Sequence, residues 1–361
     1  MRVSISLTAA AALVVLLFEG CAFNHRSVAI SQAPLKIREH PTTGAAFAGF
    51  RTAEWNSERP QPPSLPAAVR TSSLYDGGDW SPAADATGLW DSFYGIPVES
   101  IDPADDVFLK YSHFVVSYDP DGFYPVWTAH VLTKASVEVG DNHHFPRPST
   151  WSPEKRLSPF MTHVPVDDDF ADLGGITDSN DPLFYERGHM SAKEEIEGFG
   201  EPAMLETFRL ANQAPEIGTL NGGTWGKLER HCRYLALAQG NVWVFTGPVF
   251  KDPLHPKTLT GKTNVAVARP DAFWKIVLFS MPDRTLHVAA FIMPHQKCDS
   301  DHMYQKYQKT VAEVEAATGL TFFSLYNGLP PDFKTSRDPT MERLVKIGSK
   351  IKPTPFLLVD N

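Results

Sequence analysis

FYERGHMSAKEEIEGFGEPAMLETFRLANQAPEIGTLNGGTWGKLE, residues 184–229, is the stretch from which the rest of the chain takes its meaning. It sets His189 beside Arg187 across a single glycine, then opens a helix at Asn221 and carries Glu229 two turns further on. A histidine can take a proton from water near neutral pH. An arginine fork can grip two oxygens of a phosphate, and an asparagine carbonyl is the hard oxygen that Mg²⁺ accepts. Together these side chains suit hydrolysis of a phosphodiester. Leu183 to Arg187 reads as a short strand that delivers Gly188 and His189, and Gly188, without a Cβ, lets backbone pass close to a substrate.

The helix that follows is explicit. Gly222 and Gly223 weaken its first turn, and Trp225, Leu228, Cys232 and Leu235 recur at steps of three and four residues, which assigns them to a buried face. Eight residues separate Asn221 from Glu229, roughly 12 Å along a helix axis at 1.5 Å per residue. One ion ligated directly by both would be strained. The expectation is that Asn221 binds the cation and Glu229 acts through a water, whereas for Glu229 alone a surface carboxylate paired with Arg233 is the plain alternative.

Arg187-Gly188-His189-Met190, then Asn212-Gln213-Ala214-Pro215, then Asn221-Gly222-Gly223-Thr224-Trp225-Gly226-Lys227-Leu228-Glu229 resemble, in that order, the DNA/RNA non-specific endonuclease family. The resemblance implies an α+β fold, a mixed and mainly antiparallel central sheet flanked by helices, with a ββα-metal finger as its active site. It implies DNA and RNA as substrates, cleavage with little sequence preference to 5′-phosphate and 3′-hydroxyl ends, and Mg²⁺, with Mn²⁺ or another divalent cation as substitutes. Residue by residue it makes His189 the general base, Asn221 the metal ligand, Glu229 a water-mediated partner, Arg187 a phosphate contact and Asn212 a holder of the network. Arg147 stands where the family often places an arginine that reaches phosphate; Arg156 is a second candidate, and for each a solvated loop arginine is the plain alternative. Glu186 replaces the usual Asp, Ser191-Ala192 the usual Ala-Pro, and Glu216 stands where Gln is frequent.

Outward from this centre, the 361 residues are 42% hydrophobic and 21% charged, enough for one large domain with a sizeable core. Met1 to Cys21 reads as an export signal, too short in its apolar run to span a bilayer comfortably. Gly20-Cys21 resembles a lipoprotein processing site, so the chain is expected in the periplasm or cell envelope, lipid-anchored at Cys21, or secreted. Residues 22–106 form a Pro-rich arm or linker with six basic and eleven acidic side chains, which supplies much of the net charge of −9. That charge argues against a broad basic nucleic-acid face and leaves room for a local groove. Cys232 and Cys298 would remain as an even pair after loss of Cys21, compatible with a disulfide or with two separate thiols.

The globular domain is expected over 107–350, with 351–361 as a tail. Tyr111–Tyr118 and Tyr124–Thr133 read as a hairpin around Asp119-Pro120-Asp121-Gly122-Phe123. Asn241–Thr246, Thr263–Ala268, Ala272–Ser280 and Leu286–Met293 read as further strands, and Ser300 as the cap of a helix to about Ala317. Lys275 reads as a sheet-edge lysine or a phosphate support. Asp167-Asp168-Asp169 lacks the spacing of a calcium loop and reads as a solvated approach; His295, Cys298 and His302 lack a fourth zinc ligand. A non-catalytic envelope protein and a hydrolase of some other phosphodiester are the competing functions.

Overall fold

The computed structural model describes residues 97–99, 106–283, 285–298, 303–323 and 329–351. The leader, Cys21, most of the Pro-rich arm, Ser300 and the tail from 352 lie outside them. In chain order the principal elements are β1 (Val107–Lys110), β2 (Phe114–Asp119), β3 (Tyr124–Leu132), α1 (Lys134–Asn142), β4 (Tyr185–His189), β5 (Gln213–Ile217), α2 (Gly226–Gln239), β6 (Val242–Val249), β7 (Ala272–Ser280), β8 (Leu286–Pro294), β9 (Gln308–Lys309), α3 (Val311–Thr318) and α4 (Thr340–Gly348).

Seven strands form one sheet in the order β9-β8-β7-β6-β3-β2-β1, and every neighbouring pair is antiparallel. Alternation along the strands sends side chains to two buried faces. Val242, Val244, Phe273, Val277 and Phe279 meet α2 and α4 on one side. Trp243, Phe245, Trp274, Ile276 and Leu278 meet α3 and Phe322 on the other. The central strands are therefore apolar on both faces, and the fold is α+β as expected. The predicted stripe on α2 is its core face: Trp225, Leu228, Cys232 and Leu235 all have 0% exposure.

The turn of the β2–β3 hairpin is built by Asp119, whose carboxylate accepts from the backbone N–H groups of Asp121 and Gly122. β4 and β5 stand apart from the large sheet as an antiparallel ribbon in the register His189↔Gln213, Arg187↔Pro215, Tyr185↔Ile217. A single π-helical turn, Leu220–Trp225, joins this ribbon to α2, which completes a ββα unit.

Several expectations need correction. Val98–Glu99 pairs with Leu320–Thr321, so ordered structure begins inside the stretch read as an arm. Within 263–268 only Val267–Ala268 is a strand, because Asn264 takes a positive φ and Thr263 turns its hydroxyl to Asp169. The last long helical reading shortens to α3, started by a Thr310/Glu313 capping box. Lys275 lies on a central strand with no exposure, its ammonium donating to Thr246 Oγ1 at 2.9 Å and seated over the Trp225 ring. Arg156 is structural: it binds Glu154, donates to the carbonyl of Lys110 and covers the Tyr111 ring. Asp169 is buried rather than solvated, and binds Thr263, His163 and the N–H of Val166. Cys232 and Cys298 are free thiols, and Cys298 donates to the carbonyl of Thr219.

Candidate active site

The ribbon has two faces, and the predicted residues divide between them. Strand alternation puts Arg187 and His189 on one face and Glu186 and Gly188 on the other. His189 is 8% exposed. Trp151 covers its ring at 4.4 Å between centroids, and Phe208 meets it edge-on at 4.8 Å. Its Nε2 is enclosed and has no hydrogen-bond partner among the described residues. Burial, then the positive charge of Arg147 and Lys193, pushes its pKa down to about 3, with Glu194 opposing. The imidazole is therefore neutral at physiological pH, the form a general base requires.

Arg187 is anchored on the same side. Its Nε lies 2.8 Å from Asp167 Oδ1 and its Nη2 donates to the Asp167 carbonyl at 2.7 Å. The same carboxylate oxygen accepts from the N–H of Trp151, so Asp167 fixes both the arginine and the indole that roofs His189. Arg147, on the loop after α1, crosses the Phe208 ring and binds Glu194 at 2.7 Å.

Asn212 is fully buried and fully used. Its Oδ1 accepts from Ser191 N–H and its Nδ2 donates to the carbonyls of Ser191 and Thr207, each at 2.9 Å. Its own carbonyl accepts from Met190 N–H. It clamps the backbone just after His189 and offers substrate nothing, so it is a positioning residue.

On the other face, Glu186 Oε2 accepts from Asn221 Nδ2 at 2.7 Å. The bond ties Asn221 to the strand that carries His189. With the amide nitrogen held by Glu186, the carbonyl Oδ1 is the remaining polar atom of the Asn221 side chain. The π-turn makes this possible: the backbone carbonyl of Asn221 accepts from Gly226 N–H, five residues on, and lifts Asn221 off the regular helix. Glu229 follows in the first turn of α2. Though part of its surface reaches solvent, burial raises its pKa above the usual carboxylate range; Lys275 opposes that rise, and Glu195 and Glu194 add to it.

Asn221 Oδ1, the Glu186 carboxylate bonded to that amide, and Glu229 in the turn that follows are all oxygen donors of the kind a hard divalent cation takes. Among the described residues no group of three His, Cys, Asp or Glu side chains could cage an ion. The sequence marked His189, Arg187, Asn221, Glu229, Asn212 and Arg147. It did not mark Trp151 and Phe208, which pack on His189, Asp167, which holds Arg187, nor Glu194, whose charge acts on both His189 and Glu229. In the sequence Glu186 is only a departure from the family pattern; its contact with Asn221 gives it a role.

A neutral buried imidazole, two arginines held by carboxylates and an asparagine amide tied to the same ribbon are groups suited to phosphodiester hydrolysis on a ββα unit. A family model described as DNA/RNA non-specific endonuclease matches residues 97–328, and the chain belongs to that family. Nuclease C1 of Cunninghamella echinulata var. echinulata is 32% identical over 225 residues, covering 60% of this chain and 82% of that protein. Nuclease EXOG, mitochondrial, of Danio rerio is 31% identical, with 59% and 60% covered. A solved structure titled as the EndoG/EndoGI complex superposes with a TM-score of 0.51 at 27% identity, covering 65% of this chain and 90% of that one. The match to the EXOG relative thus takes in less than two thirds of its length.

Proposed function

We propose that the chain is a Mg²⁺-dependent endonuclease that hydrolyses DNA and RNA without sequence or sugar preference, leaving 5′-phosphate and 3′-hydroxyl ends. The observation that carries this reading is the Glu186–Asn221 bond, which couples an oriented amide oxygen to the strand bearing a neutral histidine. With Nε2 enclosed, Nδ1 of His189 is the position that accepts a proton from the attacking water. Arg187 steadies the charge on the phosphate during in-line attack, held at a fixed height by Asp167. Asn221, Glu186 and Glu229 would hold the cation, which supplies charge compensation at the phosphate and the departing 3′ oxygen. Asn212 and Trp151 keep the imidazole in place. The leader at residues 1–21 supports export to the periplasm or envelope, with Cys21 as a lipid anchor, or secretion.

The test is purified protein on plasmid and on RNA. Nicking and degradation are expected with Mg²⁺, abolished by chelator, and reduced by about 10²–10⁴-fold in His189→Ala, the usual loss when a general base is removed. Full activity in chelator, or in the variant, rejects the mechanism. Products that a ligase joins without prior phosphorylation would support the assigned ends.

A further inference from the structure

Both arginines that face the site already hold a carboxylate, and the two pairs differ in kind. Arg187 and Asp167 are each largely covered, with 22% and 27% of their side chains exposed. They meet through two contacts, one of them to backbone, and Asp167 also holds Trp151. That pair is a strut. Arg147 and Glu194 are 56% and 33% exposed and meet through one nitrogen and one oxygen, Nη2 to Oε1 at 2.7 Å. Glu194 stands five residues after His189 on the short helix Lys193–Ile196, and it is close enough to act on the imidazole.

We propose that Glu194 is a latch: it occupies the Arg147 guanidinium in the free protein, in the place of a substrate phosphate oxygen, and yields it when nucleic acid binds. A carboxylate and a phosphate present the arginine fork with the same kind of anionic oxygen. While the latch is closed, Arg147 and Glu194 together carry no formal net charge, and an approaching polyanion meets a chain of formal charge −9. An exposed, single-contact pair is weak enough to exchange, whereas the Asp167 strut is not. The latch sets affinity for the phosphate backbone, and so the salt concentration at which the site loads and releases.

The inference rests on the nucleic-acid reading of the site and is tested apart from its chemistry. Binding of labelled duplex and single-stranded DNA is measured by fluorescence anisotropy in chelator, across a salt series, for wild type, Glu194→Gln, Arg147→Ala and the double variant. Circular dichroism confirms that each is folded. Glu194→Gln should bind about two- to fivefold tighter at low ionic strength, the range that exposed ion pairs allow. Its log–log salt slope on duplex should steepen by up to about 0.9, the value for one more phosphate neutralised. In the Arg147→Ala background the same change should give no gain. Unchanged or weaker binding by Glu194→Gln, or a gain that survives without Arg147, overturns the latch. If wild type cleaves normally in those cases, the nuclease reading stands; if the binding pattern appears without Mg²⁺-dependent cleavage, hydrolysis fails and the latch stands. If no form binds nucleic acid, both fall.

Discussion

Replacing Glu216 with Gln should stabilise the protein, by an amount that grows with pH. Glu216 has no exposure, and neither carboxylate oxygen has a hydrogen-bond partner among the described residues. It lies in register opposite Glu186, and a Cβ built on Gly188 would come within 2.2 Å of its Oε2, so the carboxyl is packed directly under the strand that carries His189. Burial raises its pKa, the charges of Glu229 and Glu186 raise it further, and Lys275 opposes them. The folded state therefore keeps the proton. For a group whose proton affinity is raised by folding, the stabilisation is complete below the unfolded carboxylate pKa, near 4.5, and is lost as pH rises toward the folded value. Above pH 4.5 the unfolded chain gives up the proton and the folded one does not, which costs stability at up to about 1.4 kcal/mol per pH unit. Gln has the same shape and no proton to lose. The advantage of Glu216→Gln should widen as pH rises above about 4.5, toward the raised pKa of the folded state. Urea unfolding followed by tryptophan fluorescence, in chelator and with m-values compared, measures it. A difference that does not change with pH, or a variant destabilised throughout because Lys275 has lost an ionised partner, refutes the reasoning.

Gly188→Ala should fail for a related reason, since its Cβ would lie 2.2 Å from Glu216 Oε2 and 2.7 Å from Glu216 Cβ. A loss of about 1–3 kcal/mol, typical of overpacking, is expected in thermal unfolding, together with loss of cleavage, and Gly188→Ala combined with Glu216→Gly, which removes both the carboxyl and the Cβ that it would strike, should recover part of the stability. Acid should destabilise the fold through two histidines held neutral by burial, His189 near pKa 3 and His295 near 4. Each contributes stability that is complete above about pH 6.5 and is lost as pH falls toward its folded value, by up to about 1.4 kcal/mol per pH unit; His295→Asn should flatten the acid limb of a stability–pH profile, and an unchanged limb would exclude His295 as its source.

The ββα frame of the candidate site was legible in the sequence because it is local. Strand, glycine, histidine, π-turn and helix follow one another within residues 184–229, and the 3.6-residue stripe on α2 needed no knowledge of the rest of the fold. What was not legible is decided by partners far along the chain. Lys275 looked like an edge lysine because periodicity gives the face a side chain takes but not what covers it; β6 and β8 flank it, and Trp225 and Thr246 close over its ammonium. Asp167, Asp168 and Asp169 looked alike as a run of charge. They separate into a strut for Arg187, a surface pair with Lys262 and a buried acceptor for Thr263, because the strand that carries Arg187 meets the first and the loop at 262–263 meets the other two. The same holds for the carboxylates near His189. Glu186 orients Asn221, Glu194 occupies Arg147, and Glu216 is shut away under Gly188, yet in the sequence they are three glutamates beside a recognised motif. Motif residues point to the family, whereas the partners of the acids around them, Asn221 for Glu186 and Arg147 for Glu194, come only from which oxygen meets which nitrogen across the ribbon.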